Sequence, residues 1–574
     1  MSCYPSGASR RIAAGCLAAA LVAATGCGAG EGAVADGADL DRPLAASMDL
    51  VRFEDVAADV GLDFRHGAFQ WETGGDPAAM MGGGLCWVDY NRDGWLDLYV
   101  VNAWSNGEWG RWRKEGALPT SQLFRNDAGQ FVDVTDETAA GLETRGNGCV
   151  AADLDLDGWT DLYVTTDREN VLLWNDEGDG FINDDDASGA GASGWQSGAA
   201  VGDIDGNGWP DLFVVGYANV NGLIPGATKG FPNTFIAEPD LLFLNDGPSD
   251  GERVRFREVS GDVGIEPNGA SYGLGAVMTD LDLDGDLDLF VANDTKPNQL
   301  YENTLVADGD GFRLVERGVT AGVGDEGAGM GVASGDGNFD DLPDLVVTNQ
   351  LKERHIMWWN TTQDSGLSFE DARPEMNMPD LGLGATGWGT IWADIDLDTD
   401  LDLFFVHGAI PVNDLVADRE YAQLLENHAV DGSTGFTDAS EAVGLDATGP
   451  YLGRGAAAAD YDNDGDVDIA IGTIGGDLAL LRNTGAGGNW LVVATPSPAP
   501  GAVITVTLAD GTELRREVLA GSSYLSSEDP RAHFGLGTSD SAVTVTVTWP
   551  DGTVSNITDV DVGQILQVEP DVTE

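Results

Sequence analysis

Positive charge is what this sequence has least of: 28 Lys and Arg stand against 97 Asp and Glu, a formal net charge of −69. So few cations exclude general nucleic-acid binding, which depends on Lys and Arg contacts to phosphate. The same balance speaks against docking on anionic lipid. Histidine is also rare, with five scattered residues, so no His-rich metal centre is encoded. No G-x-S-x-G elbow and no P-loop occurs. Beyond residue 27 only Cys86 and Cys149 remain, too few for a disulfide framework. They read as small buried side chains, with a mutual disulfide as the alternative.

Acidic chains stay unfolded when apolar residues are scarce. Here 42% of residues are hydrophobic and 16 are Trp, enough for a packed core, so the acid excess needs another explanation. Bound cations supply one. The 80 glycines point to many turns.

The N-terminus reads as an export signal. Arg10 and Arg11 precede a short apolar run, Ile12 to Thr25, too short to span a bilayer. Ala24-Thr25-Gly26-Cys27 resembles a bacterial lipoprotein signal, with Cys27 as the lipidated residue; ordinary signal-peptidase cleavage is the alternative. Residues 1–27 are therefore expected to be a signal peptide and 28–49 a flexible linker. The protein is expected to be lipid-anchored at the outer membrane or cell surface, or else secreted, touching membrane only through the anchor.

One motif recurs seven times: D-x-[DN]-x-[DN]-x-x-x-D, followed by Leu or Ile. Its first, third, fifth and ninth positions are Asp89, Asn91, Asp93 and Asp97; Asp153, Asp155, Asp157 and Asp161; Asp203, Asp205, Asn207 and Asp211; Asp280, Asp282, Asp284 and Asp288; Asp336, Asn338, Asp340 and Asp344; Asp394, Asp396, Asp398 and Asp402; Asp460, Asp462, Asp464 and Asp468. Repeats at such spacing indicate propeller blades or a solenoid. A glycine stands five residues before each copy, from Gly84 to Gly455, as expected where inner strands crowd around an axis. After each motif come a short apolar strand, an Asn-ended strand and, in six copies, a Phe-led strand. The seventh copy lacks the Phe-led strand, and a spare one lies at Phe53–Val56. The sequence therefore predicts an all-β fold: a seven-bladed propeller over residues 50–487, its last blade closed by the N-terminal strand. A small β-domain is expected over 488–570, where Asp510-Gly511 and Asp551-Gly552 mark hairpin turns.

Carboxylates at alternating positions repel one another unless a hard cation sits among them. All-oxygen ligands suit Ca²⁺, up to seven ions, better than Zn²⁺ or Mg²⁺. Glycine at the sixth position serves the turn in five copies. Asp341 and Thr399 replace it in the other two, where weaker sites are expected. The twelfth position and the strand flanks do not fit an EF-hand.

These residues resemble a known family. The blades are similar to the FG-GAP/VCBS repeats of integrin α-subunit propellers. The strings from Gly82 to Asp89 and from Tyr451 to Asp460 resemble the cartilage acidic protein family. Asn489-Trp490-Leu491, Gly521 to Leu525, His533 to Gly537 and Val547 to Gly552 resemble its ASPIC/UnbV domain. The resemblance implies a calcium-binding protein of the extracellular space or cell surface.

In an up-and-down blade the acidic loops define one face and the long second-to-third connections the other. The connection from Ala103 to Gln122 carries Trp104, Trp109, Arg111, Trp112 and Arg113, and the segment with His66 and Trp71 emerges on the same face. This set is expected to bind a glycan or an extracellular protein, as an interaction module without catalysis. The alternatives are a propeller lyase or glycosidase using His66 or loop carboxylates, and a scaffold for envelope or exopolysaccharide assembly.

Overall fold

The computed structural model describes residues 47–183, 188–248, 253–265, 271–305, 311–363, 366–430, 432–496, 499–540 and 543–570. The export signal, Cys27 and most of the linker lie outside the described residues. No described helix is long and apolar enough to cross a membrane.

Seven four-stranded antiparallel sheets follow one another along the chain. In the first, Leu85–Val88, Asp97–Val100, Gln122–Asn126 and Phe131–Asp133 pair in chain order. The strand boundaries follow the repeat read from the sequence: each acidic loop joins the first strand to the second, and the Asn-ended strand is third. The seventh sheet takes its fourth strand from Phe53–Asp55, with Phe53 opposite Asn483 and Asp55 opposite Leu481. The innermost strands touch in cyclic order, and Gly453–Ala459 of the seventh sheet packs against Leu85–Val88 of the first.

Those inner strands are small-residue runs because backbones meet there. A Cβ on Gly275 would lie 2.5 Å from Met330 O in the next blade, and one on Gly148 would lie 2.7 Å from Leu525 O. The second contact comes from outside the propeller. Residues 490–568 form a three-stranded and a four-stranded sheet over one core of Leu491, Val493, Ile504, Val506, Phe534 and Val545. From these sheets the segment Ala520–Ser527 enters the propeller axis. There it accepts the N–H groups that inner strands would otherwise leave unpaired: Cys149 N donates to Leu525 O at 3.2 Å, Val201 N to Ala520 O at 2.9 Å and Val332 N to Ser523 O at 2.8 Å. Tyr524 runs on to donate to Met81 O at 2.8 Å, in the short helix Pro77–Met81. Leu525, Tyr524, Met80, Met81 and Trp388 share one buried cluster, so the axis is filled with side chains.

Cys86 and Cys149 are disulfide-bonded, tying the inner strands of the first two blades together. This corrects the reading of two independent buried side chains. The inner strands run side by side, and the sequence alone did not show that residues 63 apart face each other.

Candidate functional site: the acidic loops and the opposite face

Every acidic loop is wound the same way. The first Asp accepts the N–H groups of positions five and six: Asp93 and Gly94 donate to Asp89 at 3.1 and 3.0 Å, and Asp464 and Gly465 donate to Asp460 at 3.0 Å each. The ninth Asp latches the loop to the blade, as Asp97 Oδ1 takes the N–H of Asn126 and Oδ2 that of Tyr90. Position six is left-handed in each loop, from Gly94 at φ 86° to Asp341 at 70° and Thr399 at 99°. The two copies without glycine thus keep the turn and carry its strain.

The Asn at the end of each third strand has a second function that the sequence did not reveal. Its side-chain amide donates to the second-position carbonyl of the preceding loop. Asn175 reaches Tyr90 O at 2.9 Å, Asn303 reaches Ile204 O at 2.7 Å, and Asn126 reaches Tyr461 O at 2.8 Å, from the first blade back to the seventh. The same amides of Asn175 and Asn303 also bond carbonyls of their own loops. Each loop is therefore clasped to its neighbour around the ring.

The carboxylates converge. In the loops starting at Asp153, Asp203 and Asp280, oxygens of the first, third and ninth Asp all lie within 4.8 Å of one another. In those starting at Asp394 and Asp460 the first, third and fifth do. The loops starting at Asp89 and Asp336 have Asn at the third position and show no such three-carboxylate group. The expected weakness of the Asp394 loop rested on its missing glycine, yet this loop gains a further carboxylate, Asp400. Burial, with repulsion from neighbouring Asp, pushes the pKa of Asp398 up to about 9 and that of Asp396 to about 6. Burial likewise raises Asp460 to about 7 and Asp203, Asp282 and Asp462 to about 6.

A cation would answer both the crowding and an orphaned set of atoms. Asp155 Oδ1, Asp282 Oδ1 and Asp462 Oδ1, all third-position oxygens, are shielded from water and have no hydrogen-bond partner. An all-carboxylate set with such unspent acceptors fits a hard divalent ion.

The C-terminal sheets lie on this face. Arg531 donates to Asp460 O at 2.7 Å and to Asn463 Oδ1 at 2.8 Å. Buried Arg516 faces Asp394, Asp336 and Asp400, and His533 Nε2 is 2.9 Å from Gly465 O. His533, in the strand Ala532–Gly535 opposite Val492, therefore joins the C-terminal sheets to the propeller.

On the opposite face the expected ligand residues divide. Trp71 and Trp112 meet with ring centroids 4.8 Å apart, and Arg111 lies over Trp71 at 5.7 Å. Trp109 is 50% exposed, with Arg113 over its ring at 5.8 Å. Trp104 is buried and His66 fully so. Burial, reinforced by the charge of Arg454, lowers the pKa of His66 to about 3, so it is corrected from a ligand-facing residue to a core one. Its Nδ1 accepts the N–H of Ala68 at 3.3 Å, and Ala68 and Phe69 beside it are buried too.

Residues 89–164 and 153–214 match the FG-GAP-like repeat model, and residues 493–574 match the ASPIC and UnbV model. Cartilage acidic protein 1 of Homo sapiens is 30% identical over 348 residues, 58% of this chain and 49% of that protein. Its Mus musculus counterpart is 30% identical over 330 residues, 55% and 47% of the two chains. The chain spans about half the length of these curated relatives. FG-GAP-like repeats and an ASPIC and UnbV region, read first from the residues, are thus present. An Agrocybe aegerita lectin that recognises non-reducing terminal N-acetylglucosamine aligns at TM-score 0.36 and 14% identity over 62% of this chain and 79% of its own. A rhamnogalacturonan lyase aligns at 0.35 and 12% over 71% and 72%. Likenesses that distant carry no argument.

Proposed function

We propose that this protein is an exported, calcium-stabilised propeller that works as a surface interaction module, its ligand face lying opposite the acidic loops. The observation that carries the calcium reading is the orphaned third-position oxygen in three separate loops, each set among other carboxylates. The ions would be held by the first, third, fifth and ninth positions, up to seven in all, and would supply charge neutralisation that locks each loop. The residues themselves fix the turn, accept the loop N–H groups and clasp adjacent blades.

Export is supported by the Cys86–Cys149 disulfide, a bond that persists in oxidising compartments. Attachment through a lipid on Cys27 belongs to the same reading, and Cys27→Ser should release the protein from membranes. A glycan or an extracellular protein is the ligand class, and no nucleic acid is a partner. The binding role is supported by exposed Trp71 and Trp109 on rigidly held loops.

The test is thermal unfolding with and without chelator. Ions bound by the folded form alone add about 2.7 kcal/mol per site at hundredfold excess over Kd. Excess EDTA should lower Tm markedly, and Ca²⁺ should restore it. An unchanged Tm in EDTA would remove the calcium half of the proposal.

A further inference from the structure

Two of the five histidines, scattered in sequence, meet in the fold. His355 stands just before the fifth blade's third strand, Ile356–Asn360, and His407 ends the sixth blade's second strand, Asp402–His407. Their Nε2 atoms are 3.3 Å apart and both rings are buried. The pair sits at the roots of two second-to-third connections, on the face opposite the acidic loops. Those connections carry exposed Leu351, Val416 and Tyr421.

All four ring nitrogens are spent inside the protein. Asn349 N–H donates to His355 Nδ1 at 3.1 Å, and His407 Nδ1 lies 2.7 Å from Tyr421 O. A backbone N–H only donates, so His355 Nδ1 is bare and its proton is on Nε2. A carbonyl only accepts, so His407 carries its proton on Nδ1 and its Nε2 is bare. His355 Nε2–H therefore donates to His407 Nε2, and one directed line of hydrogen bonds runs from Asn349 through both rings to Tyr421. A metal ion bridging the two Nε2 atoms would strip His355 of its last proton, so the bonding fits the proton arrangement rather than an ion. A third ring proton has no place: on His355 Nδ1 it would face the Asn349 N–H, and on His407 Nε2 it would face His355 Nε2–H.

Nothing around the rings compensates such a proton. Among the described residues no carboxylate hydrogen-bonds to either imidazole. Asp438, in the sixth blade's last strand, favours a charge on His407 through space, but burial outweighs it. On the fifth-blade side Arg373 donates to the His355 carbonyl at 3.4 Å and pairs with Asp371, and Arg354 pairs with Asp380. Glu353 accepts the Ala328 N–H, and Glu420 that of Thr386. Phe405 packs on both rings. A Cβ added to Gly382 or Gly387 would come within 2.3 or 2.5 Å of the His355 ring, so that ring is boxed in. Burial lowers the pKa of both histidines.

We propose that the His355–His407 pair is an acid-sensitive latch between the fifth and sixth blades, holding their connections in place at neutral pH and releasing them when either ring takes a proton. The proton is accepted in the opened joint, where a histidine titrates near about 6.5. The latch is therefore at full strength above about pH 6.5 and weakens as pH falls, and at pH 5 one proton favours opening about 30-fold. Release needs no ligand and is read without one.

The test is hydrogen exchange of the full chain in saturating Ca²⁺ at pH 7.5 and pH 5, corrected for intrinsic rates. In wild type, exchange in 349–355 and 408–421 should rise about 30-fold at pH 5, with no such rise in the second blade, which has no histidine. In the double variant His355→Phe, His407→Phe, whose rings take no proton, the rise should vanish. Nitrogen-15 spectra of the wild-type histidines give a reading that depends on no variant: at pH 7.5 one buried ring should carry its proton on Nε2 and its neighbour on Nδ1. Exchange indifferent to pH, an equal rise in the double variant, or a rise shared by every blade overturns the latch. So does a spectrum in which either ring is doubly protonated at pH 7.5.

Discussion

The two faces of the propeller are built on opposite principles. On the acidic-loop face every blade repeats the same turn, the same aspartate latch and the same asparagine clasp. That face is also covered: Arg516, Arg531 and His533 of the C-terminal sheets sit on it, and Ala520–Ser527 passes through it into the axis. On the other face the connections differ in length and content from blade to blade, and exposed tryptophans are found there. Repetition serves a ring that must be identical at each joint. The proposed interaction module puts recognition where the repeat is broken, since a ligand needs one arrangement rather than seven.

If the loop face is the scaffold, damage there should be felt as stability. The largest effect is expected from metal removal, and it should depend on pH. Burial raises the carboxyls of Asp203, Asp460 and Asp398 to about 6, 7 and 9, so metal-free folding favours their protonated forms. A carboxyl raised by folding adds stability below its unfolded pKa, near 4, and loses it as pH rises through the folded value. In EDTA, Tm should therefore fall between pH 4 and pH 9. With Ca²⁺ the ionised forms are the bound forms, and the fall should vanish or reverse. Parallel Tm–pH profiles with and without Ca²⁺ would contradict this linkage.

Next in size is the axis plug. Tyr524 lies edge-on to Trp388 at 4.9 Å and hydrogen-bonds Met81 O, and it is fully buried. Tyr524→Ala should cost about 3–5 kcal/mol, the range for a large buried aromatic, measured by urea unfolding in Ca²⁺. A loss below 1 kcal/mol would mean that the inserted segment rests in the axis without supporting it. A smaller loss is expected at a single clasp. Asn303→Ala removes amide bonds to Ile204 O and Leu287 O and leaves buried carbonyls short of a donor, about 1–3 kcal/mol. Hydrogen exchange should rise in the third and fourth blades first; uniform exchange around the ring would argue against a local clasp.

How far these features could be read in advance follows the same division. The loops, the Asn-ended strands and the spare Phe53–Asp55 strand repeat or complete a repeat, so spacing alone exposed them. The clasp was half visible: the asparagines recur, but their acceptors lie on the neighbouring blade, as with Asn175 and Tyr90, 85 residues apart. The plug was invisible because Gly521 to Leu525 occurs once, and no periodicity links it to the inner strands of several different blades. His66 was misplaced for a similar reason. Its segment was expected on the face opposite the acidic loops, but the ring is fully buried where it feels the charge of Arg454, a setting that local sequence does not show. Trp71 and Trp109 were singled out by the face their segments reach, and both are exposed, as are Phe231 and Tyr421.

The smallest effect concerns a break within the scaffold face itself. Thr399 occupies the sixth loop position at φ 99° where five other loops have glycine. A β-branched residue is strained there by about 1–2 kcal/mol. Its N–H still donates to Asp394 Oδ2 at 3.0 Å, a bond that glycine would keep. Thr399→Gly relieves the strain and adds about 0.4–1 kcal/mol of unfolded-chain freedom, leaving a net gain of about 1 kcal/mol or less. Tm should rise slightly in Ca²⁺, and more in EDTA, where no ion holds the turn. A fall in both conditions would show that the threonine side chain is part of the joint with Gly537 of the C-terminal sheets, whose added Cβ would lie 3.8 Å from Thr399 Cγ2. The irregular residue would then belong to docking rather than to the loop, and the scaffold face would hold a specific contact of its own.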